Sequence, residues 1–124
     1  MKLKIILLII LVTSSLSGNC YKTTNFKGVS LNKNKNYTIE QDGISNRIIN
    51  LTIDPSKSFI SDSNLKCIYL SPISIVCLNN SNIQVVIETW LINNNKVQYT
   101  KSITGYPGWD TIKAFSGDII GSCD

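Results

Sequence analysis

Asp42, Asp54, Asp62, Glu88, Asp110 and Asp118 are the side chains with which this chain could carry out acid–base chemistry, in the paired-carboxylate manner of glycoside hydrolysis. Their spacing singles out no pair, and carboxylates that cap turns or face water account for all six. Histidine, the commonest general base, is absent from the 124 residues. The four cysteines, Cys20, Cys67, Cys77 and Cys123, are nucleophiles only as thiolates, and they lack both the CxxC spacing and the histidine neighbours of a zinc site. The chemistry on offer is therefore binding, and an enzyme is not expected. One turn, Tyr106-Pro-Gly-Trp109, presents two rings as candidate ligand-binding residues for stacking on sugars, although a large aromatic in so small a chain also serves as core. Trp90, inside the most apolar run, is expected in the core.

Around these residues the chain has the organisation of a secreted protein. Residues 1–19 place Lys2 and Lys4 before an apolar run from Ile5 to Val12, then turn small and polar through Ser14, Ser15, Ser17 and Gly18. That order is a secretory signal peptide cleaved near Ser17 to Asn19, and its apolar run is shorter than the roughly 20 residues a membrane-spanning helix needs. Leu16-Ser-Gly-Asn-Cys20 approximates a lipobox, so a lipid anchor at Cys20 is an alternative that Asn19 weakens. Loss of Lys2 and Lys4 leaves ten basic against eight acidic residues, a net charge of +2. Lys22, Lys27, Lys33 and Lys35 are spread among polar residues, as on a solvated face, so nucleic acid is not an expected partner and an extracellular protein or glycan is.

An oxidising compartment turns an even number of cysteines into disulfides. Cys67 and Cys77 bracket IYLSPISIV, two short strands around Ser71-Pro72, which favours a Cys67–Cys77 hairpin closure with Cys20–Cys123 tying the mature termini. Asn36-Tyr-Thr, Asn50-Leu-Thr and Asn79-Asn-Ser are glycan acceptor sequences, and Asn36 and Asn79 stand in stretches that read as turns.

Beyond the leader the pattern is short and alternating. Strands are expected at Val29–Leu31, Tyr37–Ile39, Ile49–Ile53, Phe59–Ile60, Ile68–Leu70, Ile73–Ile75, Ile83–Ile87 and Val97–Ile103, separated by LNKNKN, EQDGIS, DPS, NNSN, INNN and GYPG as turn chemistry. Ile83 to Ile92 is long enough to be a buried helix or strand, and its β-branching favours strand. Residues 20–124 are expected as one all-β domain in two related units, 20–54 and 58–120. In the second, Ile60, Leu65 and Cys67 take the offsets of Tyr21, Phe26 and Gly28, and Trp109–Phe115 falls beside Ser45–Leu51.

Tyr21, Phe26 and Gly28, in the pattern Tyr-x4-Phe-x-Gly, followed about twenty residues later by Gly-Ile-Ser-Asn-Arg-Ile-Ile-Asn-Leu-Thr-Ile, resemble the Greek-key motif of the βγ-crystallin superfamily, with its microbial and slime-mould members. The resemblance covers 21–54 best. It implies a disulfide-stapled Greek-key β-sandwich in which Tyr21 and Phe26 form an aromatic corner and Gly28 the turn. It also implies a calcium site. Of the matching positions, Asn46 and Asp110 offer oxygen, whereas Ile49 and Lys113 stand where hydroxyls are needed, so calcium binding is expected to be weak or lost. By the same analogy the protein is a secreted, non-enzymatic binding or structural component of an adhesive, matrix or coat layer. A defence or toxin-like protein, an enzyme inhibitor and a carbohydrate-binding module are the alternatives.

Overall fold

Alternation of buried and exposed side chains runs through nearly every element of the computed structural model, which describes residues 18–105 and 110–123. Among the described residues there are nine strands: β1 (Asn19–Asn32), β2 (Glu40–Ile44), β3 (Ile49–Ile53), β4 (Phe59–Ile60), β5 (Lys66–Ser71), β6 (Ser74–Asn80), β7 (Val85–Asn93), β8 (Lys96–Thr104) and β9 (Thr111–Ser122). A single 3₁₀ turn at Lys33–Lys35 is the only helical element in that span. No helix of the described residues is long and apolar enough to cross a membrane. The signal-peptide reading of 1–19 falls almost wholly outside the described residues, as do Tyr106 and Trp109.

Every pairing is antiparallel, in one sheet of order β4-β3-β1-β9-β8-β7-β6-β5. From β5 to β9 each strand returns beside its predecessor, and β9 then pairs with β1 from Tyr21↔Ser122 to Asn32↔Thr111. The other edge of β1 is shared: Asn19–Thr23 pair with β3, and Phe26–Ser30 pair with β2. Nine strands therefore occupy eight positions around a sheet whose ends, β4 and β5, curl toward contact, so that the fold is all-β and nearly barrel-like. In this order the strands succeed one another around one curved sheet, and the two Greek-key units expected from the sequence are not established by it. Alternation and turn chemistry specify that a segment is a strand. They do not name its neighbour.

Cys20 is joined to Cys123 and Cys67 to Cys77, and no cysteine is free. The first bond clasps the start of β1 to the end of β9; the second links residues directly opposite in the β5–β6 hairpin. Cys20 bonded in this way has no sulfur left for the thioether of a lipid anchor. Two disulfides are compatible with an oxidising, extracellular setting.

Several boundaries differ from the sequence expectation, each for a local reason. Tyr37–Ile39 is not a strand, because Asn36 and Tyr37 both take left-handed backbone (φ 54° and 56°) and the Tyr37 amide donates to the Asn32 carbonyl at 2.9 Å. Residues 40–44, read as turn chemistry, form β2 because the C-terminal half of β1 offers them a ladder. Residues 111–122 were not among the expected strands and make the long β9. Gly28 is no turn: it lies within β1, opposite Phe115, where a Cβ would collide with the Ala114 carbonyl oxygen. The bend in β1 comes instead at Asn25, with φ 61°, where the β1–β9 register shifts between Thr24 and Lys27. That extra residue explains the Tyr-x4-Phe spacing. Strict alternation would send Tyr21 and Phe26 to opposite faces, and the bulge returns both to the interior.

Phe26 then centres the core. Its ring meets Trp90 edge-on at 5.9 Å and Tyr99 at 6.1 Å, while Tyr99 lies 4.3 Å from Trp90 and 5.8 Å from Phe115. Gly117 of β9 makes room, since a Cβ there would stand 2.7 Å from the Phe26 ring. Thr23, wholly buried, donates its hydroxyl to the Ile49 carbonyl at 2.7 Å and pins β3 where the bulge begins. Asn25 donates to Asp118, which also accepts from Lys96, closing the outer side of the bulge. These two donors hold the Asp118 carboxyl below its ordinary range.

Candidate ligand cavity at one end of the barrel

The β7–β8 hairpin turns through Asn94-Asn95, with Asn94 left-handed (φ 57°), and this short turn sets the register for everything above it. Trp90 falls opposite Tyr99 and Glu88 opposite Lys101, all four on the inner face. Toward the disulfide clasp the interior is aliphatic, with Ile53, Ile75 and Val97 buried. Toward the other end the aromatic layer gives way to charge.

Glu88 is the buried carboxylate of this layer, 6% exposed. The Trp90 indole donates to its Oε1 at 3.2 Å, and the Tyr99 hydroxyl donates to Oε2 at 3.0 Å. The Lys101 ammonium lies 3.3 Å from the same Oε2. Burial first, then the charge and hydrogen bond of Glu88, raise the Tyr99 phenol far above its usual ionisation range. Lys113 of β9 stands over the Phe115 ring at 5.8 Å and 3.5 Å from Asp42 of β2. Burial pushes the Asp42 carboxyl up, but the Gly43 amide, the Lys113 charge and the Ser30 hydroxyl together outweigh it and hold the group below its ordinary value.

Above this layer opens a cavity of about 480 Å³. Its floor is Glu88, Trp90, Tyr99 and Phe115; aliphatic side chains such as Ile49, Ile60, Val86 and Ile103 form walls. The 61–65 connector, which bridges the gap between β4 and β5, forms one rim, and Arg47 in the β2–β3 loop another. No hydrogen bond or ion pair engages the Arg47 guanidinium among the described residues. A larger depression, about 720 Å³, lies at the opposite end around the Cys20–Cys123 bond. Among the described residues it is lined by no charged side chain, so the charged cavity is the better candidate site.

The residues singled out from the sequence are distributed otherwise. Asn46 lies beside Thr24 and Asn25 of β1, in the loop whose Arg47 carbonyl accepts from Thr24. Asp110 is at the far end of β1, its carbonyl accepting from the Lys33 amide and its carboxylate from the Gly105 amide. About eight strand residues, on the order of 25 Å, separate the two positions. Of the positions that match the family's ligands, Ile49 is buried and Lys113 is paired with Asp42. Among the described residues no three carboxylate or cysteine groups cluster as a metal site. Asn36 and Asn79 are exposed beside turns, whereas Asn50 is half-buried in β3 with its Oδ1 enclosed and unpaired among the described residues.

Sequence reasoning passed over Arg47, Lys101 and Lys113 as binding residues and treated Glu88 as one carboxylate among six. A signal was present: with a two-residue turn at Asn94-Asn95, Glu88-x-Trp90 and Tyr99-x-Lys101 face one another. No family model, curated protein or solved structure matches this chain.

Proposed function

We propose that this is a secreted binding protein that holds a small ligand in the charged cavity at one end of its barrel and performs no chemistry on it. The observation that carries the reading is the cavity itself: an aromatic floor and aliphatic side chains are joined by polar and charged groups that make up about half of the lining, as a site for an amphipathic small molecule would need, and an eight-position barrel is the size whose interior takes one such ligand. Glu88 argues for binding over catalysis, because Trp90, Tyr99 and Lys101 already occupy its oxygens. The leader at 1–19 and the paired cysteines support export.

An adhesive, matrix or coat role would be the setting for such binding, and a βγ-crystallin kinship would be the origin of residues 21–54. The binding reading depends on neither. The inward-facing Tyr21 and Phe26 favour the kinship, and Gly28 in mid-strand weighs against it. The test is a fluorescence titration with phenylnaphthylamine, an uncharged aromatic probe that brightens on leaving water. Wild-type protein is expected to bind it saturably at one site, and Ile103→Trp, which fills the cavity from β8, to lose that binding. Absence of saturable binding, or a folded Ile103→Trp that binds as well as wild type, would refute the reading.

A further inference from the structure

We propose that the ligand of this cavity is a small organic anion with an apolar, ring-sized body; this rests on the cavity being the binding site. The argument is a tally of donors and acceptors. The buried acceptor, Glu88, is taken by three donors. The cations are less fully used. Lys101 has three N–H groups and one carboxylate neighbour, Glu88 at 3.3 Å. Lys113 likewise has one, Asp42 at 3.5 Å. Arg47 has five N–H donors and no side-chain partner among the described residues. Three cations thus line the cavity from β8, β9 and the β2–β3 loop, two of them already facing one carboxylate each, against two lining carboxylates: Glu88, whose oxygens are taken, and Asp62, which has no hydrogen-bond or ion-pair partner among the described residues.

The unused capacity at charged positions is therefore chiefly for donating, which a carboxylate, sulfonate or phosphate would accept. Aliphatic walls that exclude water strengthen such contacts, and a guanidinium suits a planar, two-oxygen acceptor. A wholly polar anion would leave the floor of Trp90, Tyr99 and Phe115 and the walls of Ile49 and Ile103 uncovered. An uncharged apolar ligand would leave Arg47, Lys101 and Lys113 without an added partner. An anionic head on an apolar body satisfies both halves.

Two probes sharing one ring system separate the claims: anilinonaphthalene sulfonate, and phenylnaphthylamine, which lacks the sulfonate. Wild-type protein is expected to bind the sulfonate about tenfold more tightly, with rising salt eroding that preference. Arg47→Gln, on an exposed loop and away from the core, should weaken the sulfonate roughly fivefold or more and the neutral probe less. Ile103→Trp should reduce both. Equal affinity for the two probes in wild type, insensitive to salt and to Arg47→Gln, would overturn the anion inference and leave the cavity reading standing. Failure of phenylnaphthylamine to bind, or binding that a folded Ile103→Trp leaves unchanged, would remove the cavity reading and the inference with it.

Discussion

Glu88 is accommodated in the barrel interior because three donors converge on it, and each owes its position to the hairpin register and not to sequence proximity alone. Trp90 is two residues away on the same face, while Tyr99 and Lys101 arrive from the opposite strand. Removing one donor from a buried carboxylate costs more than the hydrogen bond itself contributes, because the acceptor stays buried. Tyr99→Phe, which keeps the ring against Trp90 and Phe115, is expected to lower stability by about 1–2 kcal/mol at neutral pH in urea unfolding. The deficit should shrink in alkaline solution. The phenol's ionisation is raised in the folded protein, so above about pH 10 the unfolded wild type releases a proton that the folded form retains, and wild type loses stability. The phenylalanine variant has no such proton. A deficit of the same size at neutral pH and above pH 10 would contradict the assigned environment.

At the scale of elements, the bulge in β1 organises the fold. One strand serves β3 with its first half and β2 with its second while pairing with β9 along its other edge, and the parity change at Asn25 keeps Tyr21, Thr23, Phe26 and Ser30 on the inner face. Phe26 reaches the middle of the barrel because β9 offers Gly117 there. Gly117→Ala is therefore expected to cost about 1–3 kcal/mol by overpacking. Phe26→Leu should cost a comparable amount through the space it leaves. The double variant should be more stable than the two losses combined predict, since the methyl enters space that the smaller side chain vacates. Strict additivity in thermal or denaturant unfolding would mean that the glycine is there for another reason.

At the scale of the molecule, the near-barrel is held differently on its two sides. Where β1 meets β9 a long, bulged ladder is clasped by Cys20–Cys123, whereas β4 and β5 only approach each other, bridged by the 61–65 connector that also rims the cavity. The clasp spans 103 residues of sequence and the hairpin bond spans 10. Loop-closure entropy then predicts that Cys20→Ser with Cys123→Ser costs roughly 4–5 kcal/mol, and Cys67→Ser with Cys77→Ser roughly 2–3 kcal/mol. Equilibrium unfolding of the two double variants checks this, and equal costs would show that the clasp does not act on the unfolded chain. By itself the sequence determined that the chain is all-β, where most strands lie and that Cys67 and Cys77 flank one hairpin, because β-branching, turn residues and a ten-residue cysteine spacing are local properties. It also held Glu88-x-Trp90 and Tyr99-x-Lys101, readable once the Asn94-Asn95 turn was placed. Only the tertiary structure decided that Gly28 relieves a close approach of two strands, that Asn46 and Asp110 stand apart, and that Arg47 and Lys113 meet the β7–β8 hairpin around one cavity. Those outcomes depend on which strands become neighbours across long separations in the chain. That choice is made by packing the whole interior at once, and no single stretch of residues encodes it.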